Sequence, residues 1–505
     1  MNSQSVVMIL LASVLIGPLN GCVVGPDYQG PPQIEKNNHF ARVGEVFENE
    51  SSTQRSVRWW LALEDTTLDK LIGQALRGSP GIAVAEARVR QARASLRGEK
   101  ANLLPSADAS LSGARIHLPK ESMGDVGAAR SSTPGAHELK IPSSINLFSA
   151  DFDASWELDL FGGQQRAVEA ARASAEAAQE RLADVQLSLT AEVAQAYVNL
   201  RTAQTRLGLS NKAIERQQRQ IELTEHSLQG GTASEVDILR LQNQLETTRS
   251  QTEPLLAQVE LYLDELAVLT GLAPGALDDH LAIADSSTPA IPLPPASLSV
   301  VDPATMLRQR PDIRAAERTL ASSQAQIGQA MAARFPSVSL FGVIGIGGAH
   351  AHDLTRLDDF TSVVAPRLSW NIFDFGRASA NIHEAEGARD EAEAQFRSTV
   401  LSALEDAEDS LVRFRHGRAS VAIVARSRNQ AARAAELMAI RQQAGTAALI
   451  DVLDTERQQL SAEQNLAQAE GSLTNDFIAL QKSLGLGLGK SKALTPSPND
   501  ELSRR

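Results

Sequence analysis

The chain contains an internal duplication, which limits the folds that it can adopt. Residues 156–272 align with residues 370–486 without a gap, at the constant offset of 214 residues that separates Trp156 from Trp370. Matching pairs recur along the whole alignment: Phe161-Gly162 with Phe375-Gly376, Arg201 with Arg415, Gly231-Thr232-Ala233 with Gly445-Thr446-Ala447, Asp237 with Asp451, and Gly271-Leu272 with Gly485-Leu486. A shared helical composition would not keep glycine and tryptophan in register. The chain therefore contains two copies of one structural unit.

The segments that precede these copies also match, but at a longer offset. Pro80 and Pro105 pair with Pro311 and Pro336, which lie 231 residues later. The first copy is therefore 17 residues longer between residues 106 and 156, where Gly, Ser, Pro and His accumulate. This composition predicts an enlarged loop at 114–144.

The duplication also suggests a division of the chain into domains. Its parts are a signal peptide at 1–21, a lipidated N-terminal segment at 22–79, a first repeat at 80–272, a Pro-rich linker at 273–310, a second repeat at 311–486, and a polar C-terminal tail at 487–505. The prolines of the stretch at 289–298 are the reason for placing a linker between the repeats.

Each copy is predicted to begin with a helix and then a pair of strands. The helices are expected at 80–104 and 311–335, each ended by a proline. From 149 to 160 every even position is apolar and every odd position is polar or acidic, which predicts a strand with one apolar face. Weaker alternation predicts partner strands at 106–113, 337–345 and 364–372.

A very long helix follows the strands in each copy. After Gly162 the pattern is helical for about 67 residues, as far as Gly230, which corresponds to about 100 Å. Apolar residues recur every seven positions from Val193 to Leu228, which predicts left-handed supercoiling. The matching helix at 377–443 has a weaker heptad pattern.

These elements predict an oligomer. Four strands with an apolar face cannot close a membrane barrel, since the smallest barrels need about eight strands and open edges are unsatisfied in lipid. Two copies would give eight strands and three would give twelve, and only the wider barrel leaves an aqueous bore. The predicted fold is therefore mainly α with β: duplicated long-helix hairpins form a tunnel, and each chain contributes four strands to a trimeric 12-stranded β-barrel.

The N-terminus predicts export and lipidation. The apolar run at 6–16 has the length of a signal-peptide core, and the following LNGC resembles a bacterial lipobox, so acylation of Cys22 is expected. The alternative is an ordinary cleaved signal with an incidental cysteine. Cys22 is the only cysteine, which excludes an intramolecular disulfide. Val23 stands where an aspartate would favour inner-membrane retention, so the resemblance implies outer-membrane sorting.

Several site classes are not expected. The net charge of −13 and the lack of a basic block argue against nucleic acid. The sequence contains no catalytic constellation or P-loop, so we predict no enzyme and no cofactor. The glycines of 342–350 favour a tight hairpin over a dinucleotide loop. His350 and His352 lack a third ligand close in sequence, which favours a solvated loop over a metal site. Trp59 and Trp60 are expected to pack in a core.

From Cys22 to Leu488 the chain resembles the outer-membrane factor family of the TolC and OprM type, in its lipoprotein branch. The segments that resemble it are CVVGPDYQGP, RPDIRAAERTLASSQAQIGQAMAARFPSVSL, SWELDLFGG, SWNIFDFG and QQAGTAALIDVLD. The resemblance implies a homotrimer in the lipid of the outer membrane that extends into the periplasm. It also implies docking to a periplasmic adaptor, the membrane fusion protein, and to an inner-membrane RND-type pump. The expected function is a passive exit duct for drugs and other toxic compounds.

Two sets of residues are candidate sites. The breaks at Gly231, Thr232, Ala233, Ser234 and at Gly445, Thr446, Ala447 predict helix-hairpin tips, and the resemblance implies that these tips contact the adaptor.

Asp451 and Asp454 share one helix face, and with Asp237 they are candidates to line the pore at the periplasmic entrance. A helix-start role would also account for Asp237 and Asp451, but not for Asp454, whose repeat counterpart is Arg240.

Two other functions remain open. Type I protein secretion uses similar ducts, although the lipoprotein N-terminus favours drug or metal efflux. A lipid-anchored coiled-coil scaffold or adaptor would explain the helices, but not four amphipathic strands in duplicated positions. The sequence indicates neither the substrate nor the particular pump.

Overall fold

The computed structural model describes residues 23–32, 39–42, 47–48, 58–117, 144–282, 290–296, 298–299, 302–355 and 360–487. Cys22, most of the predicted loop at 114–144 and nearly all of the tail at 487–505 lie outside these residues.

Long helices dominate the described residues. The helices are α1 Thr66–Gly78, α2 Pro80–Asn102, α3 Gly163–Gln229, α4 Glu235–Leu269, α5 Asp278–Leu281, α6 Pro303–Gln309, α7 Pro311–Ala332, α8 Arg377–Gln443 and α9 Leu449–Ser483. The strands are β1 Phe47–Glu48, β2 Ser106–His117, β3 Ser144–Leu158, β4 Leu298–Ser299, β5 Ser337–Gly348 and β6 Phe360–Ser369. Short 3₁₀ helices cover Trp59–Leu63 and Ala351–Thr355.

The two copies contain helices of equal length. Helices α3 and α8 each have 67 residues, and α4 and α9 each have 35. The long helices predicted after Gly162 and at 377–443 are confirmed. Among the described helices, none combines the length and the apolar character that crossing a bilayer would require.

The helices α2 and α7 end earlier than predicted. They stop at Asn102 and Ala332 instead of 104 and 335. The next residues form short turns, in which the Leu104 amide donates to the Ala101 carbonyl and the Phe335 amide to the Ala332 carbonyl. A residue directly before proline avoids the helical region, so Leu104 and Phe335 cannot continue a helix into Pro105 and Pro336.

The first of two compact units consists of the described parts of Met1–Pro31, Gln91–Ala175 and Arg318–Glu393. Its centre is a four-stranded antiparallel sheet in the order β2-β3-β5-β6. The register places Phe152 opposite Ile344 and Trp156 opposite Leu340, so apolar residues of neighbouring strands share a face. The alternation predicted for 149–160 is therefore confirmed as far as Leu158, although β3 already begins at Ser144. Strand β6 occupies 360–369 instead of the predicted 364–372.

The strand ends differ from the prediction. Strands β2 and β5 continue to His117 and Gly348, so the segment 342–348 is strand and the prediction of a tight hairpin there was wrong. The predicted loop also begins four residues too early. Cross-strand pairing holds these extra residues, since His117 pairs with Ser144 and Gly348 with Phe148. Such long-range partners are not visible in a local pattern.

The apolar face of this sheet is strongly exposed in the single chain. Val364 is 73% exposed, Leu368 68% and Phe152 51%. Water does not favour so large an apolar surface, so this face needs a lipid or protein environment.

The second unit consists of the described parts of Pro32–Arg90, Glu176–Glu317 and Ala394–Arg505. Its core is built around Trp59, which packs edge-to-face on Trp60 with ring centroids 5.8 Å apart and on Phe477 with centroids 6.2 Å apart. Both tryptophans are buried, as predicted. Tyr197, Leu200, Leu411 and Phe414 complete the centre of the cluster.

The heptad pattern of α3 matches its burial in this unit. Val193, Leu200 and Leu207 are buried, whereas Leu228 at the end of the helix is 37% exposed. A second set of residues also recurs every seven positions and is buried: Leu189, Ala196, Ala203, Ser210 and Gln217. The helix therefore packs most closely in its middle and progressively less toward Gln229.

Candidate functional site

The two predicted helix-hairpin tips have the same geometry. Gly231 and Gly445 adopt φ values of 73° and 72°, in the left-handed region that favours glycine. The amides of Thr232 and Thr446 each donate to the carbonyl five residues earlier, at 2.9 Å, and their hydroxyls donate to the same oxygen at 3.0 Å. A Schellman-type cap thus ends α3 and α8, which explains why Gly-Thr occurs in both copies.

The tips present several exposed groups. Gly231, Thr232, Ser234, Gly445 and Thr446 are exposed, whereas the remaining tip residues, Ala233 and Ala447, are half-buried. These surfaces are accessible to a partner, and their hydrogen bonds also serve the turn itself.

The helices that follow the tips begin differently. Ser234 at the start of α4 forms a capping box with Asp237, in which each side chain accepts from the other residue's amide. This hydrogen bonding holds the pKa of the Asp237 carboxyl below its usual range. In α9 the equivalent N-cap is Ala448, which has no side chain that could cap the helix or engage Asp451.

Asp454 lies one turn beyond Asp451 and has partners on its own helix. The Asp454 carboxylate accepts from the Arg457 guanidinium at 2.5 Å and from the side-chain amide of Gln458 at 2.7 Å, while 47% of the Asp454 side chain is exposed. Arg240, its repeat counterpart, lies within 4.0 Å of Asp237. The sequence identified both acids of α9 but not these partners.

The first turns of α4 and α9 enclose one groove of about 460 Å³. Its lining combines apolar residues of both helices with ionised ones: Val236, Leu239, Arg240, Asn243, Gln244, Ile450, Leu453, Asp454 and Arg457. The structure thus brings Asp454 beside the helix start that contains Asp237. Asp451, by contrast, is exposed and does not line this groove.

A site that the sequence did not indicate fixes the N-terminal segment in the first unit. Arg166, which is only 4% exposed, donates to the carbonyls of Val24 and Gly25 at 3.2 and 3.0 Å. It also contacts the carboxylate of Asp27 at 2.6 Å, and the Val24 amide donates to the Phe161 carbonyl. The residues next to Cys22 are therefore attached close to the end of β3.

The loop after β5 contains a cluster that the sequence interpretation missed. His350 Nδ1 lies 3.6 Å from Asp353 Oδ2, and His352 Nε2 lies 3.3 Å from Asp353 Oδ1. Asp353 is a third potential metal ligand, which the sequence analysis did not include beside the two histidines. The residue follows His352 directly, but only the 3₁₀ turn folds its carboxylate back between the two rings.

The sequence matches the family model of outer membrane efflux proteins over residues 71–272 and 303–486. Since these segments cover well over half of the chain, the protein belongs to the outer membrane efflux protein family. It is an outer-membrane channel component of an efflux system, and its family and structural neighbours are channel proteins.

Individual relatives match over nearly their whole length. Pyoverdine export outer membrane protein OpmQ of Pseudomonas aeruginosa is 29% identical, with 85% of this chain and 87% of OpmQ aligned. Toluene efflux pump outer membrane protein TtgF of Pseudomonas putida is 29% identical, with coverages of 94% and 96%. The solved structure of the outer-membrane channel OprN superposes with a TM-score of 0.79 at 33% identity, covering 92% of this chain and 99% of OprN. The predicted fold class and family are confirmed.

Proposed function

We propose that this chain forms a lipid-anchored homotrimer that serves as the exit duct of a tripartite efflux system, with a periplasmic adaptor and an inner-membrane RND-type pump. The main support is the exposed apolar face of the four-stranded sheet, since the described residues of a single chain neither cover this face nor pair with the outer edges of β2 and β6. Three copies would close a 12-stranded barrel with an aqueous bore. The two repeats at 80–272 and 311–486 would each supply one strand pair and one helix hairpin.

The cargo is proposed to be small toxic organic molecules. TtgF is named for toluene efflux and OpmQ for pyoverdine export, so related channels are named for chemically different cargo. The duct itself would select little, because the pump has already bound the cargo.

Native mass measurement in detergent, followed by planar-bilayer recording, tests this architecture. We expect a trimer that conducts ions. A stable monomer or dimer, or a trimer that never conducts, would contradict it.

We propose that acylated Cys22 anchors the chain in the outer membrane. The attachment of Val24 and Gly25 to Arg166 supports this proposal, because it holds the residues after Cys22 near the strand ends. Labelling with a radioactive fatty acid should mark the parent protein and not Cys22→Ser. Label that persists in the variant would exclude this site of acylation.

We propose that the hairpin tips contact the adaptor. A trimer would present six tips, with Gly231, Thr232, Ala233 and Ser234 alternating with Gly445, Thr446 and Ala447. Their exposed backbone at the tight turns supports the proposal, since a partner hairpin can approach glycine closely.

We propose that Asp451 and Asp454 line the entrance of the tunnel, where the trimer would place six carboxylates. Asp451 fits this role best. The N-cap residue of α9 is Ala448, so the Asp451 carboxylate takes no part in a capping box. Asp237 would contribute less, because its carboxylate is engaged by Ser234.

The double variant Asp451→Asn and Asp454→Asn tests the ring of carboxylates. It should weaken the block of single-channel current by multivalent cations severalfold, because charge at a constriction attracts cations. The double variant Glu246→Gln and Glu253→Gln removes the same charge from exposed positions of α4 and should leave the block unchanged. Equal block in the aspartate variant and the parent would contradict a pore-lining role for both aspartates.

A further inference from the structure

We propose that the loop between β5 and β6 binds one divalent transition-metal ion of the Zn²⁺ type through His350, His352 and Asp353. One donor atom from each of these residues lies within 4.8 Å of the other two. This site is independent of the efflux function, which needs no metal ion.

The spacing of the donor atoms fits a tetrahedral ion. Nitrogen and oxygen ligands at about 2.0–2.2 Å from Zn²⁺ lie about 3.3–3.6 Å from one another when the angles are tetrahedral. His350 Nδ1 lies 3.6 Å from Asp353 Oδ2, and His352 Nε2 lies 3.3 Å from the other oxygen, Oδ1. Each imidazole is therefore at ligand spacing from one carboxylate oxygen, and an ion held by one of these oxygens needs the other ring to rotate toward it.

The carboxylate is already oriented by its own loop. Asp353 Oδ2 accepts from the His350 amide at 2.9 Å, and the Asp353 amide donates to the His350 carbonyl at 3.0 Å. The Thr355 hydroxyl closes the turn by donating to the His352 carbonyl at 2.7 Å. Binding would therefore need to order only the two rings, which keeps the entropy cost low.

Gly348 makes room for this arrangement. A Cβ added at Gly348 would overlap the side chain of Asp353, which is 17% exposed. The histidines remain 69% and 72% exposed, so an ion could enter from solvent and keep water as its fourth ligand. The site thus has one fixed acidic ligand and two accessible imidazoles.

The ligand types select the class of metal. Two imidazole nitrogens with one carboxylate suit Zn²⁺, Cu²⁺ or Ni²⁺, whereas Mg²⁺ and Ca²⁺ prefer oxygen ligands. A purely structural role of Asp353 would explain its bond to the His350 amide. It would not require both imidazole nitrogens to lie beside the carboxylate.

Calorimetric titration of the purified full-length protein, carrying a tag without histidine, tests the site. After treatment with EDTA, Zn²⁺ should bind with one ion per chain, and Mg²⁺ should not bind. Co²⁺ should give the intense visible absorption of tetrahedral coordination. The variant with His350→Ala and His352→Ala should lose both signals, whereas His383→Ala, which removes an exposed histidine of α8, should retain them.

Two further variants separate ligation from folding. Asp353→Asn keeps both rings but replaces the carboxylate ligand, so it should weaken Zn²⁺ binding by at least the roughly tenfold loss seen when partners of metal ligands are changed. Gly348→Ala removes no ligand, but it displaces the Asp353 side chain and should weaken binding by a similar factor. Each variant should match the parent in size-exclusion elution. Unchanged Zn²⁺ stoichiometry and affinity in the double histidine variant, or no binding by the parent, would overturn the proposal.

Discussion

Ser234 and Ala448 occupy equivalent positions of the duplicated hairpins but give their helices different starts. Ser234 Oγ accepts from the Asp237 amide, and the Ser234 amide donates to the Asp237 carboxylate in return, whereas Ala448 leaves the first turn of α9 without a side-chain cap. Uncapped amides at a helix start cost stability unless water or a partner satisfies them. The second tip is therefore the weaker of the two in the free chain.

Ser234→Ala should destabilise the start of α4 by about 0.5–2 kcal/mol, the usual cost of losing an N-cap. The reciprocal change, Ala448→Ser, should stabilise α9, because Asp451 is placed to complete a capping box. Hydrogen exchange of the amides at 235–238 and 449–452 measures both effects. Exchange that is unaltered at both helix starts would show that the caps do not control local opening.

Tyr197 connects the first elements of the second unit to α3. Its hydroxyl donates to Asp65 Oδ2 at 2.8 Å and accepts from Arg201 Nε at 3.0 Å. Asp65 also caps α1 through the amides of Thr67 and Leu68. Burial raises the pKa of Tyr197 to about 12, from the ordinary value of 10.0.

This shift predicts an alkaline loss of stability. A phenol whose pKa is higher in the folded state stabilises the fold fully below pH 10, and the contribution is lost as the pH rises toward 12. In Tyr197→Phe the melting temperature should fall less steeply between pH 10 and pH 12 than in the parent. Parallel slopes would mean that other groups dominate the alkaline transition.

Close packing between α3 and α9 depends on Gly471. A Cβ at this position would lie 3.1 Å from Thr202 Cβ and Cγ2 and would overlap its hydroxyl oxygen, which is bonded to the Val198 carbonyl. Gly471 therefore permits the close approach of the two helices at Thr202.

Gly471→Ala should destabilise the protein by about 1–3 kcal/mol, the typical cost of overpacking. Gly387→Ala in α8 is the matched control, because nothing lies within 4 Å of its added Cβ. This control should gain up to about 1 kcal/mol from helix propensity. Thermal unfolding of the two variants should shift in opposite directions, and a stabilised Gly471→Ala would refute the packing argument.

At the scale of the whole molecule, the exposed apolar face of the sheet is unfavourable in water and would be covered by lipid in an assembled barrel. Val364 of β6 pairs with Gly342 on that face, and Ala365 follows it on the opposite face. A charge on the lipid side of a barrel strand is costly, whereas one on the side of the bore meets water.

Val364→Arg should destabilise the folded trimer by about 2–4 kcal/mol if the position lies near the bilayer midplane, and less trimer should then form in the outer membrane. Ala365→Arg should assemble almost normally. The fraction of heat-resistant trimer on a semi-native gel measures both. Equal loss in the two variants would mean that this face does not meet lipid.

The order and type of the main elements could be predicted from residue order, because the periodicities reflect preferences within each element and the duplication repeats them. The long helices after Gly162 and Gly376, the turns at Gly231 and Gly445, and the alternating strand around Trp156 all follow from residue order and backbone preference. The ends of the strands did not, since cross-strand partners decide where pairing stops.

The polar contacts between distant side chains could not be predicted in this way and became visible in the folded chain. Arg166 reaches Val24 across more than a hundred residues, and no spacing in the sequence marks that pair. Asp353 is next to His352 in the chain, but a 3₁₀ turn was needed to place its carboxylate between two imidazoles. The physical reason is the same in both cases: a periodic pattern records which face of an element is buried, whereas polar contacts depend on how turns and neighbouring elements direct individual atoms.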